Sequence, residues 1–180
     1  MKLHLVIISI LIFVNKINAM DLLDKNKLEN FKNNWEFVSD QVMGGLSTGK
    51  LDLIKDENEK FLRLSGDVST KNNGGFIQFR SNFQSDNREY EGIRIKVKGH
   101  PSEYFIHVRT HFLLLPWQYY SGKFFVTDEW TEIRVFFKDF DKSNFYQPSS
   151  FNSSEIKSIG FVAFGKDFSA QLDLIEAELF

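Results

Sequence analysis

The stretch GIRIKVKG, residues 92–99, sends Ile93, Ile95 and Val97 to one side and Arg94, Lys96 and Lys98 to the other. Successive side chains of a strand point to opposite faces of a sheet, so this alternation reads as a strand with one buried and one wetted face. The texture continues in both directions. Residues 103–111 (EYFIHVRTH), 130–137 (WTEIRVFF) and 156–164 (IKSIGFVAF) repeat it. Residues 50–54, 61–66, 75–80, 121–127 and 171–180 carry it further, to a total of about nine or ten strands. Turn clusters such as KNNGG, SDNRE, KGHPSE and QPSSFNSS separate them, and no amphipathic helical period intervenes. Short strands at regular spacing predict an all-β fold, an antiparallel β-sandwich of jelly-roll type over residues 35–180.

The chain begins differently. MKLHLVIISILIFVNKINA, residues 1–19, has a basic Lys2, an apolar run from Leu5 to Val14 and a polar end at Ala19. A membrane span needs about 20 apolar residues, whereas a secretory signal has an apolar centre of about 7–15. The segment reads as a signal peptide for export, periplasmic or secreted, with an uncleaved membrane anchor as the competing reading. Residues 20–34 have apolar positions at Leu22, Leu23, Leu28 and Phe31 and read as a short helix or loose arm.

Removing residues 1–19 takes away Lys2 and Lys16, so 22 basic residues become 20 against 24 acidic, a net charge of −4. Nucleic-acid binders carry a basic face, and nothing here supplies one. The chain has no cysteine, which excludes disulfides, thiolate metal sites and cysteine nucleophiles. The core must do the work alone, and 20 phenylalanines supply it.

VMGGLSTGK, residues 42–50, has the glycine spacing and lysine of a phosphate-binding loop. The position after Lys50 is Leu51 rather than the hydroxyl that holds Mg²⁺, and KLDLI continues as a strand instead of opening a helix. A nucleotide is therefore not expected. Gly44 and Gly45 read as a tight turn whose amides Ser39 and Asp40 can cap, and Gly74–Gly75 repeat that chemistry. His107 and His111 share one face of a strand at four residues' separation, roughly 13 Å, too far for one metal ion. No metal or other cofactor is expected. Ser39, His107 and Asp40 make a triad only on paper, since no serine has nucleophile-elbow surroundings. Asn152 opens an N-S-S glycosylation sequon.

One strand face carries Phe105, His107, Arg109 and His111, and another Phe76, Gln78 and Arg80. If these faces are neighbours, guanidinium, amide and aromatic groups share a surface, with Trp117, Gln118, Tyr119 and Tyr120 just beyond. Such a surface suits sugars or peptide segments. Asp40, Asn73, Arg80, Arg109 and Trp117 are the expected binding residues.

WEFVSDQVMGGLSTGKL, LSGDVSTKNNGGFIQFR, YEGIRIKVKG and WTEIRVFFKDF resemble, in order and spacing, the complex I intermediate-associated protein 30 family. The matching positions are Trp35, Ser39, Asp40, Met43, Gly44, Gly45, Ser47, Gly49, Asn73, Gly74, Gly75, Phe76, Arg80, Trp130 and Phe140. The resemblance implies a galactose-binding-domain-like sandwich and a non-enzymatic, chaperone-like assembly factor. Its partner would be a protein of a respiratory membrane complex, met in mitochondria. An arginine-free N-terminus departs from a mitochondrial presequence, which leaves a glycan-binding or carbohydrate-active exported protein as the alternative.

Overall fold

A computed structural model describes residues 19–56, 59–84, 86 and 88–180. The expected signal segment, Ala19 apart, lies outside the described residues. Its strands are β1 (Met20–Asp21), β2 (Glu36–Ser39), β3 (Thr48–Asp56), β4 (Glu59–Val68), β5 (Phe76–Asn82) and β6 (Gly92–Gly99), followed by β7 (Ser102–Thr110), β8 (Tyr120–Val126), β9 (Thr131–Phe136), β10 (Asp141–Lys142), β11 (Ile156–Phe164) and β12 (Phe168–Leu179).

One sheet runs β3-β4-β12-β6-β9, with β1 beside the end of β12, and the other runs β10-β8-β7-β11-β5-β2. Every paired strand is antiparallel. This is the jelly-roll sandwich the alternation predicts. Ile93, Ile95 and Val97 of β6 are fully buried between the sheets, with Leu62, Leu64, Leu172 and Leu174 from the same sheet. Ile77, Phe79, Ile106, Val108 and Phe161 meet them from the other side. Interdigitation of two such inward faces is the main stabilising contribution of a sandwich.

The arm is part of that core. Leu23, Leu28 and Phe31 are buried, the last two in a 3₁₀ turn over Leu28–Asn33. Leu22 donates its amide to the Ala177 carbonyl at 2.8 Å. Trp35 packs on Phe79 and Phe161, with ring centroids 5.3 and 5.9 Å away.

The two outer faces differ. On the first sheet, opposite charges stand in register: Glu178 faces Arg94, Glu176 faces Lys96, and Asp173 lies between Lys98 and Arg63. Arg63 holds the fully buried Asp173 through two hydrogen bonds of 2.6 Å. That face neutralises itself. The outer face of the second sheet pairs Glu36 with Arg80 in register and carries the cleft described next. Asn152 caps the 3₁₀ turn Ser153–Glu155, accepting from the Ser154 amide at 2.8 Å.

Candidate binding site

The first wall of the cleft is built on Asp40. A 3₁₀ turn, Asp40–Met43, follows β2 and ends at Gly44, whose φ of 88° is left-handed. The Asp40 side chain is fully buried. Its Oδ1 accepts the Ser47 amide at 2.9 Å. Its Oδ2 accepts the Ser47 hydroxyl at 2.5 Å and the amides of Gly75 and Phe76 at 2.5 and 3.2 Å. Burial raises the pKa of this carboxyl, but the hydrogen bonds outweigh it and hold the group below the ordinary carboxylate range. One glycine of each pair crowds this carboxylate. A Cβ on Gly45 would lie 2.3 Å from Asp40 Cγ, and one on Gly74 would lie 2.4 Å from Oδ2. The Ser47 hydroxyl also accepts the Ser69 amide at 2.9 Å, tying the turn to the end of β4. The outer side of this junction presents Val42, Met43, Asn73 and Phe76 to the cleft.

Arg109 builds the second wall. Its Nε donates to the Gln118 carbonyl at 3.1 Å, and its Nη2 to the carbonyls of Leu115 and Leu113 at 3.0 and 3.4 Å. One side chain thus gathers the loop between β7 and β8. Gln147 bridges that loop to the next, donating to the Tyr119 carbonyl at 2.9 Å while Ser143 donates to its Oε1 at 3.1 Å. Trp117 stands at the lip, 55 % exposed, with its indole N–H donated to the Tyr146 hydroxyl at 3.3 Å.

The floor follows from register. Gly160 of β11 opposes Arg80 of β5 and His107 of β7, and Ser158 opposes Arg109. His107 stacks on Tyr119, 4.0 Å between centroids at 15°. Its Nε2 is sealed from solvent without a hydrogen-bond partner among the described residues, and burial pushes its pKa down to about 3. The imidazole is therefore neutral. Together these surfaces enclose a cleft of about 1070 Å³. A smaller cavity of about 500 Å³ lies under the arm, beside Leu23, Leu28 and Trp35, and gathers none of the expected binding residues.

The two faces anticipated as neighbours are joined through β11, and Asn73, Arg80, Arg109 and Trp117 all border or line the cleft. Asp40 is the correction. It meets no ligand, because both its oxygens are occupied within the protein and it has no exposed surface. Ser39 makes no capping bond, so of the two expected caps only Asp40 serves the turn. The paper triad does not assemble, since Asp40 is held by Ser47, Gly75 and Phe76. Most of the other motif positions are scaffold. Trp35 and Ser47 are buried, a Cβ on Gly49 would lie 2.7 Å from the Ser65 carbonyl, Trp130 packs edge-on to Phe61, and Phe140 fills the space over Gly122. Met43 is 63 % exposed at the cleft edge. The sequence reading passed over Gly160, Ser158, Asn144 and Gln41, which also line the cleft. Gly160 had a signal, since a glycine within a strand marks close backbone approach. Among the described residues no three His, Cys, Asp or Glu side chains cluster as metal ligands.

The family model for complex I intermediate-associated protein 30 matches residues 23–174. The chain belongs to the complex I intermediate-associated protein 30 family. The match begins inside the arm, at one of the buried leucines, and takes in both glycine junctions and the whole second sheet. No curated protein matches the chain in sequence. Among solved structures, the fold is similar to the family 11 carbohydrate-binding module of a cellulosomal cellulase of Clostridium thermocellum. That match has a TM-score of 0.66 and 16 % identity, covering 82 % of this chain and 87 % of the module. A family 11 module from the same organism, in complex with a β-1,3-1,4-mixed-linked tetrasaccharide, gives a TM-score of 0.69 at 15 % identity, covering 90 % and 95 %. An agarase gives 0.56 at 11 % identity, covering 89 % of this chain and 24 % of that one. At these identities the likeness is one of fold.

Proposed function

We propose that this member of the intermediate-associated protein 30 family is a non-catalytic binding module that receives a glycan chain in the cleft. The observation that carries the reading is Trp117. A large ring is kept exposed at the lip of a preformed cleft, oriented by Tyr146 and seated on a loop that Arg109 fastens. Aromatic faces stack on sugar rings, and a platform already held in place loses little entropy on binding. The amide groups of Gln78, Asn73 and Asn144 border the same space and suit sugar hydroxyls. Glu36 is the one carboxylate among the described lining residues, and it lies at the rim paired with Arg80. Glycoside hydrolysis calls for two, which favours binding over catalysis.

A glycan array followed by calorimetry tests this. Trp117→Ala should leave the melting temperature within a few degrees and weaken the best glycan by about tenfold, or ~1.4 kcal/mol. An array on which no glycan is retained would overturn the reading.

A second reading keeps the assembly role of the family. Phe112, Leu114, Phe145 and Tyr146 are exposed on neighbouring loops, and such apolar patches mark protein contacts. Recovery of complex I subunits in a pull-down from membrane extracts supports it; their absence alongside a bound glycan counts against it. The proposal includes export by residues 1–19, which N-terminal sequencing of the mature protein decides: an intact Met1 excludes cleavage.

A further inference from the structure

The cleft carries two cations that the protein leaves incompletely used. Arg80 and Arg109 lie on the same face, on either side of β11 and two residues apart in register. Between them the floor is Gly160 and Ser158, a hydrogen and a short hydroxyl. The Gln78 amide and the Arg80 stem both lean over the glycine, where an added Cβ would lie 2.9 Å from Gln78 Oε1 and 3.3 Å from Arg80 Cβ. Arg109 spends Nε and Nη2 on three backbone carbonyls and pairs with no carboxylate among the described residues. Arg80 spends Nε and Nη2 on a single oxygen of Glu36, at 3.2 and 3.1 Å, and the Glu36 side chain is 65 % exposed. The Nη1 group of each donates to nothing among the described residues, which leaves two N–H donors on each fork.

The surroundings compensate this charge only in part, through the Arg80–Glu36 pair at the rim. His107 is neutral, and Glu36 at the rim is the only described carboxylate that lines the cleft. The Arg109 guanidinium is held below its ordinary value, first by burial and then by the positive charge of Arg80. Two partly desolvated cations that feel one another are relieved by an anion, and the fork geometry of guanidinium suits planar or tetrahedral oxyanions. A neutral sugar hydroxyl brings no such relief.

We propose that the cleft selects an acidic glycan, with a uronic acid carboxylate or a sulfate ester lodged between Arg80 and Arg109 over Gly160 and Ser158. The selection rests on the glycan reading of the cleft and specifies its ligand. Arg109 serves twice in it, shaping the wall with Nε and Nη2 and meeting the anion with Nη1.

Calorimetric titration of the purified protein with paired probes tests the selection. Galacturonan oligomers are compared with the same oligomers methyl-esterified, and sulfated galactan oligomers with their desulfated forms. The acidic member of at least one pair should bind tighter by about tenfold or more, the size expected of a charge-assisted contact. That advantage should shrink between 50 and 500 mM salt as screening shortens. Arg80→Ala, checked by its melting curve, should bring the ratio of acidic to neutral affinity close to one; a ratio that survives the substitution overturns the role of Arg80. Carboxylate-only and sulfate-only preference both support selection and identify the group. Equal binding of acidic and neutral forms overturns the charge selection while the glycan reading stands. If no probe of either kind binds, the acidic selection falls, and the glycan reading is decided separately by the array.

Discussion

Asp40 has four donors on two carboxylate oxygens and no exposed surface, so its role is set by hydrogen-bond arithmetic. Replacing it by asparagine keeps the shape but turns one oxygen into an NH₂. Wherever that group points it faces a donor, either the Ser47 amide or the cluster of Ser47 hydroxyl, Gly75 and Phe76 amides. A buried donor left opposed and the loss of charge assistance together cost about 2–4 kcal/mol. Asp40→Asn should therefore lower stability by about that amount in urea unfolding at pH 7. The carboxyl's folded pKa lies below its unfolded value of about 4, so its contribution is complete above that pH and is lost as pH falls through the folded value. The gap between wild type and variant should narrow as the measurement moves from pH 7 to pH 3; a gap that stays constant would show that the charge is irrelevant. The sequence identified Asp40 as a turn-capping group but also placed it at the ligand. Local spacing shows that an aspartate can bond nearby amides, not that the second glycine pair, 35 residues on, occupies its other oxygen.

At the scale of elements, the strands were legible and the connections were not. Alternation within 92–99, 103–111 and 156–164 reports a face directly, since the sheet period is built into the backbone. β2 escaped because four residues beside a glycine block give too little alternation to count, and β1 and β10 are two residues each. The loop between β7 and β8 shows the larger gap. Its order comes from Arg109, a residue on the preceding strand whose guanidinium reaches forward to the carbonyls at 113, 115 and 118. From sequence, Arg109 reads as a surface cation for a partner. The structure gives it a positioning role that precedes any contact. Arg109→Ala should therefore free the loop without unfolding the sandwich. Hydrogen exchange of the amides of 113–115, 117 and 118 should accelerate by at least tenfold, and Trp117 fluorescence should shift toward that of a solvated indole. Melting should fall only by the few degrees that about 1 kcal/mol implies. Unchanged exchange in this loop would mean that Gln118 and Gln147 hold it unaided.

For the whole molecule, the question is where the folding unit begins. The composition change at Trp35 reads as a boundary between a loose arm and the sandwich. In the folded chain Leu23, Leu28 and Phe31 are buried at 1, 2 and 8 % exposure in the same cluster as Trp35 and Phe79, and Met20 pairs with Leu179 at the far end of β12. A sequence pattern of five apolar residues in fifteen cannot show that a segment closes a sandwich, because the surface it covers belongs to strands far along the chain. Burying three such side chains contributes on the order of 1.5–3 kcal/mol each, and domains of this kind are stable by about 5–15 kcal/mol in total. Two truncations follow. A chain starting at Met20 keeps every one of these contacts and should melt cooperatively, in accord with removal of residues 1–19. A chain starting at Trp35 exposes the rings of Trp35 and Phe79 as well as losing the three side chains, and should show no cooperative transition in near-ultraviolet circular dichroism. If the shorter chain instead melts cooperatively within a few degrees of the longer one, the arm is dispensable and the packing of Leu23, Leu28 and Phe31 contributes little to the folded state.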